Sequence, residues 1–401
     1  MDNMIKPQLA AVSAELQAEL EDAMAVATAA IKTHQDWLED ELLPNATGEF
    51  RLGREKFARK LAFALDSPLS MAEIKTRAEQ EYLRVRARMY EAAQDVYRRR
   101  NPEAPLPVHP SEDERQAFIE QALELAYQDV PARDGIVAFA EQTLAETTAF
   151  VRDKDLISLP DDPVEIILMP EFQRGVAVAY CDSPGPLDKG LKTFYAVAPL
   201  PEDWSDAQVA SFLREYNSLS IEDLTIHEAM PGHYVQLAAS NEYPSLLRGV
   251  LSSGPFIEGW AVYAERMMIE EGYKDGDPLM RLVNLKWYIR AVINALIDQG
   301  IHVDGMTRDE AMELMMRGGF QEESEAAGKW TRAQLTSTQL STYFVGYQEH
   351  ADLRMATEQA WGEDFDLKRY HDMVLSFGSP PGRYVRALVL DQPIPGLAPA
   401  P

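Results

Sequence analysis

The sequence predicts a mainly α fold with one small antiparallel β-sheet inserted mid-chain. Three observations carry that expectation. From Met1 to about Arg152 the chain is rich in Ala, Leu, Glu, Gln and Arg, with apolar residues three or four apart, the period of amphipathic helices. Residues 164–201 change to short apolar or aromatic runs, VEIILMPEF, GVAVAYCDSPGP and TFYAVAPLP, cut by Pro, Gly and Asp, which read as two or three strands. After Pro201 the helical period returns.

Several helix starts are written into the chain. Ser70 followed by Glu73, Ser111 by Glu114, Ser205 by Gln208 and Thr307 by Glu310 are capping boxes, in which hydroxyl and carboxylate (or amide) satisfy backbone amides at the helix start. Between the helices begun at Ser70 and Ser111 lies NPEAPLPVHP, residues 101–110, whose four prolines predict a stiff extended connection. The expected organisation is an N-terminal helical region, 1–155, followed by a region, 156–401, that carries the chemistry. The second region contains the sheet (164–201), helices around a histidine segment (220–270) and C-terminal helices (280–390), all in one continuous fold.

Composition narrows the function. A chain of 401 residues that is 46% hydrophobic can bury a large core, yet it holds no run of about 18 apolar residues. Glu15, Glu19, Glu21 and Asp22 interrupt the place where an export signal needs an apolar core, so the expectation is no membrane span and a cytoplasmic location. The single cysteine, Cys181, rules out an internal disulfide and a thiolate zinc site, so any metal must be held by His, Asp or Glu. Cys181 follows the apolar GVAVAY and has no basic partner nearby in sequence, which suits a packing residue rather than a nucleophile. A formal charge of -27 argues against nucleic acid and against an anionic membrane surface.

The segment TIHEAMPGHYVQ, Thr225 to Gln236, holds two of the seven histidines. A catalytic zinc takes three protein ligands and keeps one position open, and the familiar helical solution is His-Glu-x-x-His. Here the position four after His227 is Pro231, and the next histidine is His233, which on a regular helix would point well away from His227. Pro231 removes a backbone donor and Gly232 tolerates almost any backbone angle, so the pair should interrupt or widen the helix and bring His233 back beside His227. Glu228 is then placed as general base. The third ligand is expected from FIEGWAVYAE, where Glu258 and Glu265 share one helical face. Glu258, next to Gly259, is assigned to the metal and Glu265 to orienting an imidazole. Taken singly, a His-Glu pair is more often a surface feature, Pro-Gly-His a turn, and two glutamates seven apart a solvated face.

Together, HEAMPGHYVQ and EGWAVYAE resemble the DUF885 family, bacterial proteins related to the gluzincin-type metallopeptidases that carry His-Glu-x-x-Pro-Gly-His. WLEDELLPNATGEFRLGREKFARKL, DQGIH, QLSTYFVGYQEHADLR and RYHDMVLSFGSPP extend the resemblance along most of the chain. It implies zinc (Zn2+) held by His227, His233 and Glu258, Glu228 as general base, and a mostly helical zincin-like fold. The chain keeps Arg332, Gln339, Tyr343 and Gly346 of the family's C-terminal pattern. It has Ala333, Ser337 and Thr338 where Tyr and Pro-Gly are common, and Asn294 where an arginine often stands.

An oxyanion formed at the substrate needs a donor. Tyr343, Tyr347 and His302 are candidates, and the resemblance supports Tyr343 and His302. Arg332 and Arg354 could hold a substrate carboxylate through a bidentate fork, although in so acidic a chain an arginine is as often paired with glutamate. His371 could support the site or meet substrate, against the commoner reading of a core histidine. His34, His109 and His350 receive no role. The expected activity is a zinc-dependent metallohydrolase, a peptidase on short peptides. The alternatives are an amidase on a non-peptide metabolite, or a helical binding protein whose metal site is structural or vestigial.

Overall fold

The computed structural model describes residues 5–103, 105–174, 178–188 and 190–396. By its internal contacts the chain divides into Met1–Phe50 and Arg51–Pro401. The first unit is a short 3-10 turn (Lys6–Ala11) and a long helix, α1 (Ala14–Trp37), whose start is capped by Ser13 accepting from the Leu16 amide at 3.4 Å. The helix runs on through a π turn, Leu38–Leu42, to Asn45.

The second unit begins with α2 (Gly53–Leu65), α3 (Met71–Arg100), α4 (Glu112–Tyr127) and α5 (Ile136–Asp153). The capping boxes at Ser70 and Ser111 are formed, with Glu73 and Glu114 each returning a carboxylate to the cap amide at 2.8 and 2.7 Å. The described residues of 101–110 contain no helix or strand, as four prolines require.

The sheet has three strands, β1 (Glu165–Leu168), β2 (Ala179–Asp182) and β3 (Phe194–Val197), in the order β1-β3-β2. It is mixed, which corrects the antiparallel expectation: β2 runs antiparallel to β3, but β1 pairs with β3 in parallel from Glu165↔Phe194 to Leu168↔Val197. The reason lies in burial. FYAV of β3 is the most apolar run and takes the centre, so the chain leaves β1, adds β2 at the far edge and returns between them. Gly175 to Ala177, at the head of the second predicted strand, lie outside the described residues.

Helices then follow: α6 (Asp206–Glu215), α7 (Ser218–Glu228), α8 (His233–Asn241), α9 (Leu246–Val250), α10 (Gly254–Glu270), α11 (Pro278–Gln299), α12 (Arg308–Glu313), α13 (Glu323–Thr336), α14 (Ser341–Trp361), α15 (Leu367–Leu375) and α16 (Gly382–Val389). The boxes at Ser205 and Thr307 cap α6 and α12. Helix α11 is buried over most of its length and packs on α3 and α14, so even its charges are internal. Lys286 and Arg290 meet Glu215 at 3.0 and 2.8 Å, which supplies the partner a buried cation requires.

Helices α10 and α14 touch backbone to backbone. A Cβ on Gly259 would lie 2.2 Å from the Gly346 carbonyl carbon, and one on Gly346 would lie 1.9 Å from the Pro255 oxygen. Both positions therefore need glycine, and the contact fixes where Glu258 stands relative to Tyr343. Gly346→Ala is expected to lower the unfolding free energy by about 3 kcal/mol or more, because backbone has to move on both helices. Denaturant or thermal unfolding checks this, and an unchanged midpoint would mean that the helices separate without cost.

Candidate metal centre

Helix α7 is capped by Asn217, whose side chain accepts from the Ser220 amide at 3.1 Å, and it ends at Glu228. The amides of Ala229 and Met230 both reach the Thr225 carbonyl, at 3.0 and 3.1 Å, and the Gly232 amide returns to the Ile226 carbonyl at 2.9 Å. The Met230–Pro231 peptide is cis. The chain thus loops back on the last turn of α7, and α8 starts at His233. A Cβ on Gly232 would fall 1.9 Å from the His227 oxygen and 2.3 Å from the Ile226 oxygen, so only glycine passes here. Trp260, fully buried on α10, donates its indole N–H to the Pro231 carbonyl at 2.9 Å and ties the loop to the helix that carries Glu258.

The loop brings the imidazoles together, with ring centroids 4.7 Å apart and planes at 85°. Glu258 Oε2 lies 3.7 Å from His227 Nε2 and 3.5 Å from His233 Nε2. One donor atom from each of His227, His233 and Glu258 falls within 4.8 Å of the others, a group able to hold a metal ion. Burial works against the charge of Glu258, but hydrogen bonds and charge from both imidazoles hold its carboxyl well below the usual range. Burial likewise opposes protonation of His227, and Glu258, Glu265 and Glu228 outweigh it, leaving its pKa well raised.

Behind the triad, Glu265 Oε1 meets His227 Nδ1 at 2.5 Å, which turns Nε2 toward His233 and Glu258. The sequence reading missed what lies next. Asp223, fully buried one turn before His227, accepts from Asn284 Nδ2 at 2.9 Å, and Arg266 Nη1 donates to Asn284 Oδ1 at 2.7 Å. Burial, reinforced by the charge of Glu265, pushes the Asp223 carboxyl well up, toward its protonated form. Its position four before His227, on the same helical face, was the available signal.

Toward the open side, Glu228 is only 7% exposed and its carboxylate has no hydrogen bond or ion pair among the described residues. Its neighbours come from the sheet. Burial, with the Glu228 charge adding, pushes up the Cys181 thiol, so Cys181 is no thiolate. Tyr195 is also close, donating to or accepting from Thr225 Oγ1 at 3.3 Å. Across the site, Arg332 Nη2 donates to the Tyr343 hydroxyl at 2.9 Å and to Gln339 Oε1 at 2.8 Å. Burial and the nearby Glu258 charge raise the Tyr343 pKa, so it keeps its proton for donation.

The other expected residues stand elsewhere. His302, expected to be catalytic, is buried, stacks on Phe57 at 5.8 Å and faces the Ala333 carbonyl at 2.8 Å from Nε2. Tyr347 packs on Tyr288 with centroids 4.6 Å apart. Arg354, expected to bind a substrate carboxylate, is instead committed to Glu358 at 2.9 Å and Glu270 at 3.2 Å. His371, which could have supported the site or met substrate, is the core histidine of the commoner reading, with Nδ1 on the Leu156 carbonyl at 2.7 Å and Nε2 on the Tyr263 hydroxyl at 2.8 Å.

Burial pushes the His371 imidazole from 6.5 down to about 3. A histidine held neutral in the folded chain gives stability that is fully present above its unfolded pKa and is lost as pH falls from about 6.5 toward 3, where the unfolded chain binds the extra proton. His371→Gln should therefore flatten the acid-side slope of unfolding free energy between about pH 6 and pH 4 by up to about 1.4 kcal/mol per pH unit. Denaturant titrations over that range measure it. Gly232→Ala should separate the two imidazoles and cost about 2–4 kcal/mol of stability, since its methyl group meets two carbonyls. Melting of the purified variant and a crystal structure of it check both halves.

Residues 2–389 match the family described as "Bacterial protein of unknown function (DUF885)". A solved structure described as a "putative lipoprotein of unknown function" from Shewanella oneidensis is similar at a TM-score of 0.78 and 36% identity, over 97% of this chain and 70% of that one. Another, a "putative lipoprotein" from Colwellia psychrerythraea, shares the fold at a TM-score of 0.75 and 21% identity, over 95% of this chain and 64% of that one. None of the curated proteins matches. The motifs, the helical fold and the match along nearly the whole chain place the protein in one family: it belongs to DUF885.

Proposed function

We propose that the chain is a zinc-dependent hydrolase acting on short peptides. The observation that carries this reading is a buried carboxylate, Glu228, left without a hydrogen-bond partner among the described residues, beside three convergent donors. A purely structural metal site has no use for such a group. Two imidazole nitrogens and one carboxylate oxygen fit zinc, and the fixed Nδ1 contact of His227 suits a metal ligand. Bound there, zinc would polarise a carbonyl and make water acidic near neutral pH.

The chain's own residues supply the rest. Glu228 takes the proton of the attacking water and passes it to the leaving amine. The Tyr343 hydroxyl, kept protonated and aimed by Arg332, donates to the carbonyl oxygen as it gains charge. Strand β2 is an edge strand running past Glu228, so an extended peptide can add to it through main-chain hydrogen bonds. Peptide chemistry is favoured over a non-peptide amide by that edge. The net charge of -27 supports neither nucleic acid nor an anionic membrane as partner. The description of both solved relatives as putative lipoproteins favours an exported setting over the cytoplasmic one expected from sequence. Among the described residues no helix is long and apolar enough to cross a membrane.

Glu228→Gln should bind about one zinc per chain, as the wild type does, and lose turnover of a peptide library by about 10²–10⁴-fold. Elemental analysis beside mass-spectrometric detection of cleavage reads both, and retained turnover would overturn the assigned base.

A further inference from the structure

Four cations are buried or half-buried where α13 meets α6 and α11: Lys286, Arg290, Lys329 and Arg332. Two carboxylates answer two of them. Glu215 accepts from Lys286 at 3.0 Å and Arg290 at 2.8 Å, and Glu325 accepts from Arg290 at 2.5 Å and from the Tyr216 hydroxyl at 3.3 Å. The other two cations are left over. Lys329 is 8% exposed, has no hydrogen bond among the described residues, and its nearest carboxylate is Glu325 Oε1 at 4.0 Å, already held by Arg290. Arg332 has neutral partners, Gln339 and Tyr343. Burial, with Arg290 and Arg332 nearby, pushes the Lys329 ammonium down to about 7. In a chain of net charge -27, surplus positive charge in the interior is unexpected unless something anionic comes to it.

Position says what that is. Lys329 and Arg332 are three apart and so share a face of α13. Arg332 touches the Tyr343 hydroxyl, which in turn feels the charge of Glu258. We infer that Lys329 and Arg332 form a subsite for a carboxylate of the substrate, the free C-terminus of a short peptide, next to the scissile bond. The planar fork of Arg332 suits a carboxylate, and Lys329 adds the charge. The inference rests on the hydrolase reading and narrows its substrates to peptides with a terminal or side-chain carboxylate near the bond cut.

Calorimetry on the Glu228→Gln protein tests this without turnover, using Ala-Ala-Ala, Ala-Ala-Ala amide and Ala-Ala-Asp amide as probes. The acid should bind about tenfold or more tighter than the alanine amide, and the gap should shrink to within about twofold in Lys329→Met on the same background. Lys329→Gln serves as a second variant if the methionine protein does not melt cooperatively. Tight binding of the aspartyl amide would keep the subsite and assign it to a side-chain carboxylate. Equal binding of acid and alanine amide, a gap that survives in the variants, or no binding up to about 10 mM would overturn it. Wild type that hydrolyses acid and amide alike overturns the subsite alone. Wild type that cuts no peptide yet prefers the acid in binding overturns the hydrolase reading alone.

Discussion

The passage of Gly232 against the carbonyls of Ile226 and His227 is the constraint from which the rest of the site follows. It lets α8 begin within one loop of the end of α7, so both imidazoles come from adjoining helix ends and not from one continuous helix. The indole of Trp260 reads the same loop through the Pro231 carbonyl and so sets α10, and with it Glu258, at a fixed height beside the histidines. Gly259, the next residue after Glu258, meets Gly346 backbone to backbone, which sets α14 and places Tyr343 across from the triad. Two close approaches, each made where a side chain would forbid it, and the indole hydrogen bond between them thus carry position from the histidines to the hydroxyl.

The electrostatics follow from the same packing. Glu228, Glu258, Glu265 and Asp223 surround two imidazoles in a largely buried volume. Four charged carboxylates there would repel strongly. Burial pushes the Asp223 carboxyl toward its protonated form, which relieves part of that repulsion, and the surrounding glutamates raise the His227 pKa, so the centre favours positive charge at that imidazole. A divalent cation satisfies that preference with fewer protons. On the far side of Tyr343 the sign reverses at Lys329 and Arg332, so the site has a negative centre and a positive wall, a polarity suited to a ligand that is itself polar end to end.

Local rules made much of this legible in the sequence. All four capping boxes form, because a cap depends on four consecutive residues. The interruption at Pro231-Gly232 was legible for the same reason, and so were His227, His233, Glu258 and Glu265, which lie on two short segments. Strand pairing depends on which run is buried deepest, so the parallel β1–β3 pairing was not legible from strand content. Nor was the fate of His302, which is settled by Ala333 from another helix, whereas the core place of His371 and the glutamate pairing of Arg354 are the bland readings that the sequence already offered. Asp223 and Lys329 were overlooked because an acidic or basic residue on a helix is usually solvated, and only burial shows otherwise.

Two of the departures from the family pattern, Ser337 and Thr338, fall at one turn, and the structure accounts for them. Ser337 and Thr338 stand where Pro-Gly is common, and both have positive φ, 23° and 68°, which for β-branched Thr338 costs about 1 kcal/mol or more. Asp298 on α11 offsets this by accepting from the Thr338 amide at 2.8 Å, the Ser341 amide at 3.1 Å and the Ser341 hydroxyl at 2.7 Å. His302, buried nearby, reaches the Ala333 carbonyl in the helix that enters the turn, and burial pushes the Asp298 carboxyl up against the pull of its Ser341 and Thr338 hydrogen bonds. The turn leads directly into Gln339 and Tyr343, the partners of Arg332. His302 therefore holds the turn that presents Tyr343, and the sequence motif that singled it out marks a support of the candidate site.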